Sequence, residues 1–448
     1  YDSITAARTA YDKLSDNAKT LVENYETLKA AEEALAKAEA DVISSAMKAI
    51  DAIGKVTADS NDKIEKAKDA YSAVPERLRD KVTNSDTLDK ATERFAVIDT
   101  IKQAGTKSEE HFDTVLGTLA DNNIYPVQSI GGEWSVIALA RAGKLSADKA
   151  AKYYSELCEA VKANGSDRLS DRKPTENARV IIALSSLGKN SADIAGYNLL
   201  SGLDDMDYIT SQGINAVIFS LIAFDTTDYS AKTHDELITY IVDNMTGKGW
   251  ALAGDTADVD LTAMAIQALA PYAADEKVNA AIDSGLEFLA ESLDENARYA
   301  NGSESTSQVL IALAALGIDP LTDSRFIVDG ITLIDSLESY ATEKGYSHTL
   351  GGEENYMATE QAALALTAYE LSKDGSSLYE MSAKAEPTEP ENPDTPAQPG
   401  DSVKPGECSG KPEDKNDPIN PGTGVLVTGG MAVLISGAVM LISKKKRK

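Results

Sequence analysis

Cysteine, histidine and tryptophan are nearly missing from this 448-residue chain, which holds two, three and two of them. Cys158 falls in a helical stretch and Cys408 among prolines, so together they build neither a disulfide framework nor a cysteine-rich zinc site. The histidines, His111, His234 and His348, are scattered, and no metal or cofactor is expected. Positive charge is scarce as well: 43 Lys and Arg face 72 Asp and Glu, for a formal net charge of -29. Five of the 43 occupy the last five positions, Lys444 to Lys448. Nucleic acid and anionic membrane faces need a basic footprint, so both are poor partners for the remainder. An acidic surface suits the solubility of an exported protein. There is no Met at the start and no apolar leader, so Tyr1 reads as the start of a processed form or of a piece.

What is abundant is alanine, with few aromatics (6%) and about a quarter charged residues (26%). That mixture reads as mostly helical, and the length implies two or three domains with linkers. The stretch that organises the chain is Gly247 to Tyr272, GKGWALAGDTADVDLTAMAIQALAPY. Thr262-Ala-Met-Ala-Ile-Gln-Ala-Leu269 matches Thr306-Ser-Gln-Val-Leu-Ile-Ala-Leu313 and Thr359-Glu-Gln-Ala-Ala-Leu-Ala-Leu366 position by position. ALARAG from Ala138, ALSSLG from Ala183 and SLIAFD from Ser220 carry the same ending. Six copies at roughly 40 to 50 residues have the period of a two-helix unit. Each nearly all-apolar segment, such as Ile214 to Phe224, follows an amphipathic one: Glu109 to Ala120, Ala147 to Ala163, Ala192 to Leu203, His234 to Asn244, Lys277 to Leu293 and Arg325 to Tyr340. A helix apolar all round demands burial on several sides. Alternating with amphipathic partners, twelve helices close most simply into two concentric rings, an all-α (α/α)6 barrel over residues 105–381.

Residues 1–104 contain a different repeat. Asp2 to Leu35 aligns without gaps on Asp62 to Phe95, pairing Ile4 with Ile64, Ala7 with Ala67, Tyr11 with Tyr71, Val22 with Val82 and Asn24 with Asn84. Ile4, Ala7, Tyr11 and Leu14 share a helical face, so each copy reads as a helix, a break near Ser15 or Pro75, and a helical return. The unit resembles the FIVAR-type helical repeats of large Gram-positive surface proteins, which implies a spacer.

Gly247-Lys-Gly-Trp250 and Glu343-Lys-Gly-Tyr346, followed by Asp258-Val-Asp-Leu-Thr262 or Ser303-Glu-Ser-Thr306, resemble the prenyltransferase and squalene-cyclase repeat. GINAVIFSLIAFD, ESTSQVLIALAALGIDP and MATEQAALALTAY look like the version of that toroid found in surface proteins of Gram-positive anaerobes. The resemblance implies an α/α toroid whose cavity opens at the N-terminal ends of the inner helices, where backbone N–H groups favour polar ligands. Candidate cavity residues there are Trp250, Asp258, Asp260, Thr262, Glu304, Tyr346, His348 and Glu360; Asp260, Glu304 and Thr359 also read as helix caps. The family's chemistry is not matched. Asp258-Val-Asp260-Leu261 departs from the cyclase Asp-any-Asp-Asp acid, no Asp, Cys and His set for zinc is present, and Cys158-Glu159-Ala160 lacks the thioester Cys-Glu-Gln. The expectation is a non-catalytic toroid that binds an extracellular ligand, a glycan or a corrinoid. The alternative is a glycan-cleaving (α/α)6 enzyme with a carboxylate pair drawn from residues such as Glu133, Glu176, Asp258, Asp260, Glu304 and Glu360. Terpene-cyclase-like catalysis is the weakest of the three.

Nine of the 14 prolines lie between Pro387 and Pro421, so residues 382–419 read as an extended spacer. After it come Asn420-Pro-Gly-Thr-Gly424, an apolar run from Val425 to Ile442, and the basic end. Eighteen helical residues reach about 27 Å, close to a hydrocarbon core of about 30 Å, with the basic cluster on the cytoplasmic side. Residues 420–448 resemble the sorting signal of sortase substrates. The resemblance implies Thr423 as the residue joined to peptidoglycan, Gly424 as the first one lost, and sortase and peptidoglycan as partners. Asn420 stands where the family has Leu. The expected place of the protein is the cell surface, wall-anchored or held by a single membrane span.

Overall fold

The computed structural model describes residues 1–381. All regular structure there is helical; the only β-pairing is a few isolated bridges. The expected linker, the span over 425–442 and the sorting signal lie outside the described residues. Within them no helix is long and apolar enough to cross a membrane. Among the described residues two compact units appear, Tyr1–Lys102 with Asp329–Ile331, and Gln103–Val328 with residues 332–381.

In the first unit, α1 (Asp2–Asp12), α2 (Asp16–Lys19) and α3 (Tyr25–Asp51) form the first copy of the short repeat. The second consists of α4 (Asn61–Ser72), a 3-10 turn at Glu76–Lys81, and α5 (Ser85–Gly105). The break after α1 is set by Ser15, whose hydroxyl accepts a hydrogen bond from the Ala18 amide at 3.3 Å and starts α2. The rings of Tyr11 and Tyr25 stack at 4.1 Å between centroids, beneath the Arg8 guanidinium that pairs with Glu32. The core of this unit lies in the second copy, where Ile64, Ala67, Val82 and Leu88 bury against Ala46, Ile50 and Ile53 of α3 and the turn after it.

The second unit alternates as its sequence does. The nearly all-apolar segments become α7 (Glu133–Arg141), α9 (Pro174–Ser186), α12 (Ile214–Asp225), α14 (Val259–Leu269), α16 (Ser303–Ala315) and α18 (Tyr356–Lys373). Each packs on the next in this order, and α18 packs on α7 as well as on α16. Every residue of α12 from Ile214 to Phe224 is buried, as a helix apolar on all sides requires. The amphipathic segments become α6 (Ser108–Asp121), α8 (Ala147–Asn164), α13 (His234–Asp243) and α15 (Glu276–Glu291), within a few residues of expectation. Two others fall short. The pattern over Ala192 to Leu203 predicts one helix but yields only α10 (Leu199–Leu203), with α11 (Met206–Thr210) after it. Ala195 and Gly196 turn left-handed (φ 53° and 81°) to close a bridge between Ile194 and Tyr197, which no helix tolerates. Arg325 to Tyr340 likewise shrinks to α17 (Leu333–Glu338), because Asp329 and Gly330 are left-handed and Thr332 with Asp335 then builds a capping box. Cys158 lies in α8, among core residues such as Leu157 and Val161. Cys408 lies outside the described residues.

Candidate functional site

At the N-terminal ends of the inner helices, the residues expected to line a cavity are mostly buried and occupied with one another. Trp250 is 0% exposed; its indole N–H donates to the Ile241 carbonyl at 2.7 Å and its amide to the Thr262 hydroxyl at 3.0 Å. Gly249 must be glycine, since a Cβ there would stand 2.3 Å from the Thr262 hydroxyl. The same joint recurs at the last hairpin. The Tyr346 amide donates to Thr359 at 3.0 Å, and a Cβ on Gly345 would meet that hydroxyl at 2.4 Å. The Tyr346 ring is fully buried, its hydroxyl donating to Glu338 at 2.5 Å beside His111. The glycine-aromatic signature with its distant threonine is therefore a packing joint between a turn and the inner helix it leads into.

Capping differs from expectation. Asp258 does cap α14, accepting from the Leu261 amide at 3.0 Å, and Asn355 caps α18. Asp260, Glu304 and Thr359 lie inside the first turns of their helices, so their side chains reach sideways to neighbouring segments and cap nothing. Asp260 accepts from Ser305 at 2.5 Å, and burial, helped by the charges of Asp258 and Glu304, pushes its carboxyl up to about 7. One Glu304 oxygen meets His348 Nδ1 at 2.8 Å and Ser303 at 3.3 Å; the other has no partner. Glu360 accepts from the Ser135 hydroxyl and from the Gly131 amide at 3.0 Å, and burial raises it to about 7.

Glu133, 0% exposed, is held by the Val127 and Gln128 amides, the Tyr153 hydroxyl at 3.2 Å and Arg179 Nε at 2.9 Å. Arg179 also pairs with Glu176. Four donors saturate the Glu133 carboxylate, leaving it no lone pair for a substrate.

The open space lies at the opposite end. The C-terminal ends of α12, α14, α16 and α18 surround a hollow of about 500 Å³ lined by Ile222, Asp225, Tyr272, Ile311, Tyr379 and Glu380. Beside it, about 600 Å³ opens between Ser185, Ser191, Asp225 and Tyr229. The segment after α18 runs between the two: Glu380 lines both, Leu378 is buried, and the Ser377 carbonyl accepts from Arg141 at 2.8 Å. Asp225, His234 and Tyr272 form a hydrogen-bonded cluster at this mouth. The Tyr272 hydroxyl donates to Asp225 at 2.6 Å, and His234 Nε2 lies 2.9 Å from the same oxygen and 2.8 Å from the tyrosine oxygen. Burial raises Asp225 above the usual carboxylate range, offset by the Tyr272 and His234 bonds, and burial with the Asp225 bond and charge raises Tyr272, which stays protonated. Deeper in, a chain of buried amides crosses three inner helices. Gln267 Nε2 donates to Gln308 Oε1 at 2.9 Å and Gln308 Nε2 to Gln361 at 2.5 Å, while Gln267 Oε1 is buried without a partner.

The walls of this hollow are mostly apolar, with Asp225 and Glu380 as their carboxylates and Tyr272 and Tyr379 as their aromatics. Helix C-termini carry partial negative charge, so the space suits neutral or cationic groups bearing O–H or N–H donors. Sequence reasoning missed Asp225 and Tyr272 as site residues. The signal that could have found them is the polar residue ending each apolar run, Asp225 in SLIAFD and Tyr272 in ALAPY. No family model, curated protein or solved structure matches this chain.

Proposed function

We propose that residues 105–381 are an (α/α)6 toroid of the prenyltransferase and squalene-cyclase-repeat kind. It works as a non-catalytic ligand-binding module of a surface protein. The short repeats of residues 1–104 are its spacer, residues 382–419 its linker through the wall, and residues 420–448 its sorting signal, with Thr423 joined to peptidoglycan by a sortase and Gly424 lost. The toroid reading is supported by the succession of inner-helix contacts that returns from α18 to α7, and by the outer helix preceding each inner one. Export is supported by the excess of acidic residues, 72 Asp and Glu against 43 Lys and Arg.

The observation that carries the binding reading is the hollow at the C-terminal ends of α12, α14, α16 and α18, apolar for the most part and edged by Asp225, Glu380 and two tyrosines. Its size falls in the range of roughly 300–1,000 Å³ usual for small-ligand sites. A neutral or amino-bearing glycan fits it, with hydroxyls to Asp225 and Glu380 and an apolar sugar face on Tyr272 or Tyr379. A corrinoid carrying its phosphate fits less well, since anions are repelled there. A glycan-cleaving toroid would need two free carboxylates facing one groove; of the two lining this hollow, Asp225 is engaged by Tyr272 and His234, and Glu133 elsewhere is saturated by its four donors.

Calorimetric titration with neutral, amino-bearing and sulfated oligosaccharides tests this. Neutral or amino sugars should bind and sulfated ones should not, and Asp225→Asn and Glu380→Gln should each weaken binding about tenfold, equivalent to about 1.4 kcal/mol. No binding across the panel, or a preference for the sulfated sugars, would sink the reading.

A further inference from the structure

The two copies of the short repeat share a sequence pattern, yet only the second has a closed core. There Ile64, Ala67, Val74 and Val82 are 1%, 0%, 1% and 2% exposed. Their counterparts sixty residues earlier behave otherwise: Ile4 and Val22 are half-buried, Ala7 is exposed, and Leu14 is 37% exposed. What differs is the cover. The second copy is closed by the C-terminal end of α3 and the turn after it, which lay Ala46, Ile50 and Ile53 into it. Asn84 then ties that helix down, its amide donating to the Met47 carbonyl at 3.0 Å and to Asp51 at 2.7 Å.

In the first copy the same position is an apolar groove of about 500 Å³, lined by Ile4, Ala7, Tyr11, Val22, Leu28 and the matching asparagine, Asn24. Asn24 makes no side-chain bond at the start of α3. An apolar trough with one amide donor at its edge is thus present twice, filled once by a helix and once by nothing among the described residues.

We propose that this groove is a docking site for an amphipathic helix with the pattern that ends α3. The helix has a small residue, an isoleucine four positions on, an aspartate next to it to take the Asn24 amide, and a second isoleucine three positions after the first. The occupant is the long-helix end of a further repeat of this kind, from outside the 448 residues. A second copy of this chain does not supply it, because its own α3 end is already engaged in its second repeat. Each repeat is therefore half of a joint: it completes its successor and is completed by its predecessor, and the groove continues a helical array. This goes beyond ligand binding by the second unit and stands or falls apart from it.

Because residue 61 matches residue 1, a duplicate of residues 25–60 placed directly before Tyr1 in the full chain presents the α3 end to the open groove in the register seen in the second copy. Hydrogen exchange of the α1 amides, Thr5 to Tyr11, reads the outcome. Exchange should slow at least tenfold on adding the duplicate. The gain should vanish when the duplicated counterparts of Ile50 and Ile53 are both Asp, a change confined to the added segment that leaves residues 1–448 intact. An unchanged exchange rate with the unaltered duplicate overturns the proposal, as does equal protection from the Asp-bearing one. So does concentration-dependent protection of α1 in the unextended chain, which would make a second copy the occupant.

Discussion

Thr262 shows how much one hydroxyl can organise. It accepts the amide of Trp250, twelve residues upstream, and leaves room for Gly249 to pass without a side chain. Thr359 repeats this with Tyr346 and Gly345. In the aligned position of the intervening hairpin, Thr306 keeps the residue but its hydroxyl is buried without a partner; a close approach through Gly302 replaces the glycine-aromatic turn. Thr262→Val keeps the shape and removes the acceptor. It should destabilise the protein by about 1–3 kcal/mol, the cost of a buried N–H left unmade, as read by a lowered denaturant midpoint at unchanged m-value. The same substitution at Thr306 should cost less than this, since no partner is lost there. Two buried carboxyls give a pH dependence of opposite sign to the usual one. Asp260 and Glu360 are both raised to about 7 in the folded protein by burial, against about 4 in an unfolded chain. Between those values the unfolded state gives up its protons first, so the stabilisation they confer is complete below about pH 4 and is lost as pH rises towards 7. In Glu360→Gln this slope should flatten by about one proton relative to wild type when unfolding free energy is followed from pH 4 to 8. An identical slope in the two proteins would mean that the Glu360 carboxyl is ionised when folded.

At the scale of the element, the segment after α18 is the clearest device. Residues 376–381 cross the C-terminal face, anchored by buried Leu378 and by the Arg141 bond to Ser377, and divide the first hollow from the second. A chain ending at Lys373 should merge the two spaces and bind an apolar dye such as ANS more strongly, with its melting temperature lowered by the loss of buried Leu378. Dye binding that stays at the wild-type level would mean that the strap does not govern access. Elements also mark where reading by periodicity fails. The amphipathic pattern over Ala192 to Leu203 and Arg325 to Tyr340 continues through residues that the backbone turns left-handed, and periodicity does not register a turn that keeps the apolar spacing.

For the whole molecule, the sequence by itself determined the helical class, the two kinds of repeat and the alternation of all-apolar with amphipathic helices. Burial drives all three: a helix apolar on every side has to lie inside, and matching stripes recur at the period of the unit that buries them. The same logic made Trp250, Tyr346, Asp260 and Glu360 legible as residues of special position. Their task was decided by the tertiary structure, because a hydrogen bond from Trp250 to Thr262, or from Ser135 to Glu360, depends on which segments meet. Tertiary structure alone also placed the open space. Asp225, His234 and Tyr272 come from three different elements and meet only when inner-helix ends and the next outer helix are brought together, and the uncovered groove of the first repeat shows only when it is set beside a second copy whose groove is full.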